Sequence, residues 1–138
     1  MSPPPTPPLD LHILLVEDDD IDVRAMRRQL QRSGLEFALV VAHDGEAALA
    51  QLELLAPETT VLIVDLNIPA MDGVQFIRHA RRVPGWTAVP TCVLTTSGGV
   101  ADRARVQPLQ VCAYVTKSSP RAYPWLMSKL RAYAAQVA

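Results

Sequence analysis

The chain has 138 residues, 49% of them apolar, and a formal net charge of −1. That length suits one domain with a substantial core. The near-neutral balance argues against a nucleic-acid binder, whose phosphate contacts need clustered Lys and Arg. No apolar run reaches the roughly 20 residues of a membrane-spanning helix. The start is proline-rich rather than basic and apolar, so it does not read as a signal peptide. Cys92 and Cys112 have no CxxC spacing and lie in apolar runs, so both read as reduced core residues of a cytoplasmic protein.

Residues 1–8, MSPPPTPP, cannot form a helix or a central strand, because proline lacks an N–H and fixes φ. They read as a solvated, partly polyproline tail ahead of a domain over residues 9–138. Leu11–Val16 is an apolar run. Ile21–Arg32 follows at near-helical spacing, with Ile21, Val23, Met26 and Leu30 on one stripe, Asp20 as its cap and Asp19 and Asp22 solvated. Arg24, Arg27, Arg28 and Arg32 form its solvated face. Ala38–Ala42 is apolar again. Asp44 reads as the N-cap of a helix to about Leu55. Val61–Val64 is apolar on both faces, as in a strand buried at the centre of a sheet. Asp72 reads as the cap of a helix from Gly73 to about Arg82, with Val74, Phe76, Ile77 and Ala80 towards the core, ended by Pro84 and Gly85. Thr91–Thr95 is a strand, a weak helix starts near Val100, Cys112–Thr116 is the fifth strand, and Tyr123–Val137 is the last helix, burying Leu126, Leu130 and Tyr133.

Five strands alternating with five helices predict βαβ crossovers and a doubly wound parallel sheet, an α/β architecture with helices on both faces. Ligands bind such sheets at the carboxyl ends of the strands. The groups found there are Glu17-Asp18-Asp19-Asp20 after the first strand, Asp65 after the third, Thr95-Thr96-Ser97 after the fourth and Lys117 after the fifth. Carboxylates about 4 Å apart repel by on the order of 4 kcal/mol at an effective dielectric near 20. A divalent cation with a taste for hard oxygen ligands, Mg²⁺, would offset that, and Lys117 adds a positive charge. A metal, an ammonium and a hydroxyl around one carboxylate make a phosphoryl-transfer site with Asp65 as nucleophile. His12, His43 and His79 have no ligand spacing and read as surface or boundary residues.

The stretches "ILLVEDD", "VDLNIPAMDG", "VLTTS" and "AYVTK" resemble the receiver domains of bacterial response regulators, over about Leu11 to Val137. Their order and spacing carry the likeness, including 30 residues from Asp65 to Thr95 and 22 from Thr95 to Lys117. The wording "DLNIPAMDG" with "VLTTS" is most similar to small stand-alone regulators paired with bacterial phytochrome kinases. The resemblance implies a flavodoxin-like fold with strand order 2-1-3-4-5. It implies Asp65 as phosphoacceptor, and Mg²⁺ held by Glu17, Asp18, Asp65 and the Asn67 carbonyl. Thr95 is the implied switch hydroxyl, Tyr114 the aromatic that follows it, and Lys117 the phosphate-binding ammonium. Asn67, Thr96 and Ser97 would line the approach to the phosphoryl group and tune dephosphorylation.

The implied function is a single-domain phosphoacceptor rather than a conventional enzyme. A histidine kinase supplies the phosphoryl group, and a downstream protein or phosphotransfer partner reads the change through the face of the fourth helix, fifth strand and fifth helix. That face could equally serve a homodimer, through Tyr123, Trp125 and Leu126. Two departures from the family pattern stand out. Ser118 follows Lys117 where the family usually has a proline, often in a cis bond. A cis bond before a non-proline residue costs a few kcal/mol, so a trans bond with a rebuilt loop, or a strained one, is expected, with Lys117 aimed less reliably into the cleft. Gly98-Gly99 and Pro108 also predict a short, mobile fourth helix. These departures give weight to the alternative of a phosphorylation-independent pseudo-receiver that binds or dimerises, against which the intact Asp18, Asp65, Thr95 and Lys117 count. A Mg²⁺-dependent phosphatase would need a second acid two residues after the nucleophile, where this chain has Asn67.

Overall fold

A computed structural model describes residues 11–96 and 98–137, so the proline-rich tail and Ser97 lie outside the described residues. Five strands, β1 (Leu11–Val16), β2 (Phe37–Ala42), β3 (Thr60–Val64), β4 (Thr91–Thr95) and β5 (Ala113–Thr116), alternate with α1 (Asp20–Arg32), α2 (Gly45–Leu52), α3 (Gly73–Arg82), α4 (Val100–Val106) and α5 (Ala122–Val137). The sheet has the order β2-β1-β3-β4-β5, and its four pairings are all parallel. β3 and β4 are buried throughout, whereas β2 and β5 at the edges are half-buried.

Strand alternation divides the core in two. Leu14 and Val16 of β1 face one layer with Leu62, Val64, Phe76 and Ile77. Leu11, Ile13 and Leu15 face the other with Met26, Leu30, Leu126 and Leu130. No helix among the described residues is long and apolar enough to cross a membrane.

Several local expectations shift. The cap of α1 is Asp19 rather than Asp20: Asp19 has extended backbone, and its carboxylate accepts from the N–H of Ile21 at 2.8 Å, while Asp20 is already helical. Ile21 leaves the core stripe and is 73% exposed, because Val23, Met26 and Leu30 define a face that a residue two positions earlier cannot share. Asp44 caps α2 as expected, but the helix ends at Leu52. Asp72 and Gln75 form a reciprocal capping box on α3. Cys112 is exposed, just outside β5, while Cys92 is buried within β4. Leu126 is fully buried in the core and is unavailable to an interface; Trp125 beside it is exposed, with the Lys129 ammonium 5.2 Å from its ring centre.

α4 spans seven residues, has no side-chain cap, and gives way to a 3-10 turn at Gln107–Leu109 containing Pro108. Its first residue, Val100, is 85% exposed, and only Val106 is buried. A helix this short gains little from propensity alone. It is tied to the body by Arg105, whose guanidinium lies 2.6 Å from Asp72, the cap of α3.

Candidate functional site

The carboxyl ends of β1, β3, β4 and β5 meet because these strands are neighbours in the sheet. Asp65 is the first residue beyond β3, and its backbone N–H still donates to Val16 in register with β1. Its side chain is buried; Oδ1 accepts from the N–H of Asn67 at 3.1 Å and Oδ2 from Lys117 at 2.9 Å. The chain then folds back so closely that a Cβ at Gly73 would overlap the Asp65 carbonyl oxygen and sit 2.8 Å from the Leu66 Cα. Glycine is therefore required where α3 begins, and that tight return fixes the loop carrying Asp65. Ala70 takes a positive φ of 66° within the same loop.

Glu17 follows β1 directly. It is buried, its backbone N–H donates to Ala42, and its Oε1 accepts from the N–H of Asp19 at 3.1 Å. Asp18 is exposed, yet carboxylate oxygens of Glu17, Asp18 and Asp65 come within 4.8 Å of one another. Lys117 enters from β5, with its own N–H bonded to the Thr95 carbonyl at 2.8 Å. Its Nζ lies 2.7 Å from Glu17, 2.7 Å from Asp22 and 2.9 Å from Asp65. The lysine thus points into the cleft without a following proline, and no described peptide bond is cis.

Burial pushes the Glu17 carboxyl up to about 7; the Asp65 charge acts in the same direction, and the hydrogen bond from Lys117 opposes it. Burial alone would lower Lys117, but hydrogen bonds to Asp22, Glu17 and Asp65 outweigh it and hold the ammonium above its ordinary range. Lys117 therefore stays charged, and within this cluster burial brings Glu17 to about 7.

Three carboxylates offering hard oxygens around one point fit a small divalent cation such as Mg²⁺ or Mn²⁺. One ammonium shared among Glu17, Asp22 and Asp65 leaves the cluster net negative, and that excess is what a cation would neutralise.

On the β4 side, Thr95 is fully buried, and the Asn67 Nδ2 approaches its Oγ1 at 3.5 Å. Thr96 is exposed beside it. Tyr114 on β5 is half-buried, packed against the core, with the Arg103 guanidinium 4.4 Å from its ring centre. Ser97 lies outside the described residues. His43, read as a boundary residue, borders the cleft, its Nδ1 lying 3.1 Å from the Glu17 carbonyl.

Sequence reasoning missed Asp22, which it treated as solvated. Asp22 sits in the first turn of α1, where its side chain reaches across to Lys117. The sequence held no signal for it: an acid in a first helical turn reads as solvated or as a favourable partner of the helix dipole until Lys117 is seen beside it. A separate concavity of about 670 Å³ lies near the amino ends of β4 and β5, between Arg78, Arg82, Pro108 and Cys112. It is remote from this chemistry, and its Arg81 is occupied by the carbonyls of Val89 and Thr87 at 2.7 and 3.1 Å.

Residues 13–123 match the family model described as the response regulator receiver domain. The chain belongs to that family. It is a receiver domain of two-component signalling, a class that works with histidine kinases and downstream partners. The response regulator Rcp1 of Synechocystis sp. is 34% identical over 111 residues, a match covering 77% of this chain and 76% of Rcp1. The structure of Mn²⁺-bound Rcp1 is 30% identical, with a TM-score of 0.72 over 88% of this chain and 91% of that one. Phosphorylated RcpA, a cyanobacterial phytochrome response regulator, superimposes with a TM-score of 0.78 at 26% identity, over 94% of this chain and 96% of that one. The transcriptional regulatory protein TrcR of Mycobacterium tuberculosis is longer: its 31% identical match covers 88% of this chain but 44% of TrcR.

Proposed function

We propose that this receiver acts as a single-domain response regulator that accepts a phosphoryl group from a sensor histidine kinase on Asp65. The observation that supports this most strongly is the buried Asp65 carboxylate facing the Lys117 ammonium at 2.9 Å, within the oxygen cluster it shares with Glu17 and Asp18. An Asp65 oxygen attacks the phosphorus of a phosphohistidine, the P–N bond breaks, and the imidazole nitrogen keeps the electron pair and takes up a proton. Glu17, Asp18, Asp65 and the Asn67 carbonyl would hold Mg²⁺, which when bound would neutralise charge on the phosphoryl oxygens. Lys117 turns an N–H from a carboxylate to the phosphoryl group.

Thr95 then moves towards the new phosphoryl oxygens, and Tyr114 follows, which shifts the population of two conformations of the α4–β5–α5 face. Asn67, Thr96 and Ser97 control the access of water to the acyl phosphate. The likeness to Rcp1 and RcpA favours a bacterial phytochrome as the kinase, with the whole exchange in the cytoplasm. Outside the cleft, the exposed cations of α4 and α5 and the turn between β5 and α5 include Arg103, Arg105, Arg121 and Lys129, against Asp102, and of these Arg105 is paired with Asp72. A homodimer through that face would oppose like charges, so a separate, acid-presenting protein suits it better.

Borohydride reduction tests the reading. Reduction of the phosphorylated protein converts an aspartyl phosphate to homoserine, and peptide mapping should find that change at residue 65 alone. Homoserine at another aspartate, or at none, would refute it.

A further inference from the structure

We propose that Asp22 is a positioning residue that holds the Lys117 ammonium over Asp65. The inference rests on the phosphoacceptor reading above and adds to it a residue from outside the strand-end set. An ammonium has three protons, and the Lys117 Nζ has three carboxylate partners, Glu17, Asp22 and Asp65, at 2.7, 2.7 and 2.9 Å. Two of those partners, Glu17 and Asp65, belong to the oxygen trio suited to a cation. Oxygens engaged by a cation, or esterified to a phosphoryl group, are weaker partners for the lysine. Asp22 lies outside the trio and is the one of the three whose bond to Lys117 does not compete with that chemistry.

Asp22 is also the best anchored of the available supports. It is the third residue of α1, on a turn whose cap, Asp19, is bonded to two backbone N–H groups and whose own N–H donates to the Glu17 carboxylate. The loop after Lys117 offers less: Ser119 and Ala122 make only turn bonds to Thr116 and Ser119. A lysine has four flexible carbons and loses much rotamer freedom on being fixed. A charge-assisted hydrogen bond from a rigid helix turn restricts it before any anion arrives. The Lys117 side chain is 9% exposed and that of Asp22 31% exposed, so of the two partners Asp22 is the one nearer solvent.

The effect on anion binding has a diagnostic sign. Asp22 carries a negative charge near the place a phosphoryl group would occupy. By Coulomb repulsion alone, removing it should tighten the binding of an anion. Loss of positioning should weaken it.

The experiment compares wild type, Asp22→Asn, Asp22→Ala and Lys117→Ala. The first measurement uses neither metal nor anion: the Lys117 ammonium is observed by ¹⁵N NMR. Wild type should give a protected, resolved NH₃⁺ signal that both Asp22 variants lose, while the amide spectrum of the sheet stays unchanged. The second is titration with beryllium trifluoride in the presence of Mg²⁺, followed by ¹⁹F NMR. Both Asp22 variants should bind about fivefold or more weakly, the equivalent of roughly one hydrogen bond. Binding as tight as wild type or tighter in the Asp22 variants overturns the inference, whatever the ammonium signal does. If Lys117→Ala itself binds like wild type, the role given to Lys117 under the phosphoacceptor reading fails, and Asp22 falls with it. A weakened Lys117→Ala beside unimpaired Asp22 variants would sink the present inference alone.

Discussion

The two walls of the cleft are built differently. On the β1–β3 wall, Glu17 and Asp65 are buried at strand ends, on loops fixed by a glycine return and a capped helix, and are joined by a lysine that reaches across from the end of β5. On the β4–β5 wall, the next element is a seven-residue helix without a side-chain cap, beginning with an exposed valine and ending at a proline-containing turn. Tyr114 there rests under an arginine rather than deep in the core. The first wall is a rigid charge arrangement. The second has few buried contacts to lose, which is the condition for a local change at low free-energy cost. The acceptor carboxylates are thereby assigned to one side and the response to the other, with Lys117 the cation that spans them.

That division can be broken most forcefully at Lys117. Replacing it with alanine removes the cation that holds Glu17 and Asp65 together, pushes Glu17 further towards its neutral form, and removes an anion-binding donor. Phosphorylation by acetyl phosphate, followed by intact mass, should slow about 100-fold, whereas a rate near wild type would mean the first wall is not a preset charge arrangement.

The next effect is pH dependence. Glu17 titrates at about 7 because burial and the Asp65 charge favour its neutral form. A cation needs the carboxylate, so below that value affinity must be gained against the proton. Mg²⁺ affinity, measured by calorimetry, should rise up to about tenfold per pH unit between pH 6 and 7 and level off above. Glu17→Gln should flatten that rise, and an unchanged slope in the variant would place the titrating group elsewhere.

The smallest effect probes the second wall. Arg103→Ala removes the stacking on Tyr114, a contact worth about 0.5–1 kcal/mol at an exposed site. Urea denaturation should show a loss of that size, while the rate of phosphorylation stays at the wild-type level. A large loss of phosphorylation would show that the two walls are not separable.

Much of this arrangement was legible in the residues because it depends on strand ends. The apolar runs ending in Glu17, Asp65, Thr95 and Lys117 set both the parallel sheet and the meeting point of those four side chains. What escaped depends on where side chains lean. Asp22 looks like any acid in a first helical turn until the partner on β5 is seen. Ile21 fits an apolar count but not the stripe of Val23, Met26 and Leu30. Cys112 reads as core from its apolar neighbours, yet it lies just outside the strand and is exposed. The missing proline after Lys117 argued for a poorly aimed lysine, and three carboxylates aim it regardless.

The most direct test of the account is to incubate the protein with acetyl phosphate, with and without Mg²⁺, and weigh wild type and Asp65→Asn intact. Wild type should gain one phosphoryl group with Mg²⁺ and none without the metal, and the variant should gain none. An equal gain in Asp65→Asn, or a gain in wild type that ignores Mg²⁺, would contradict the account.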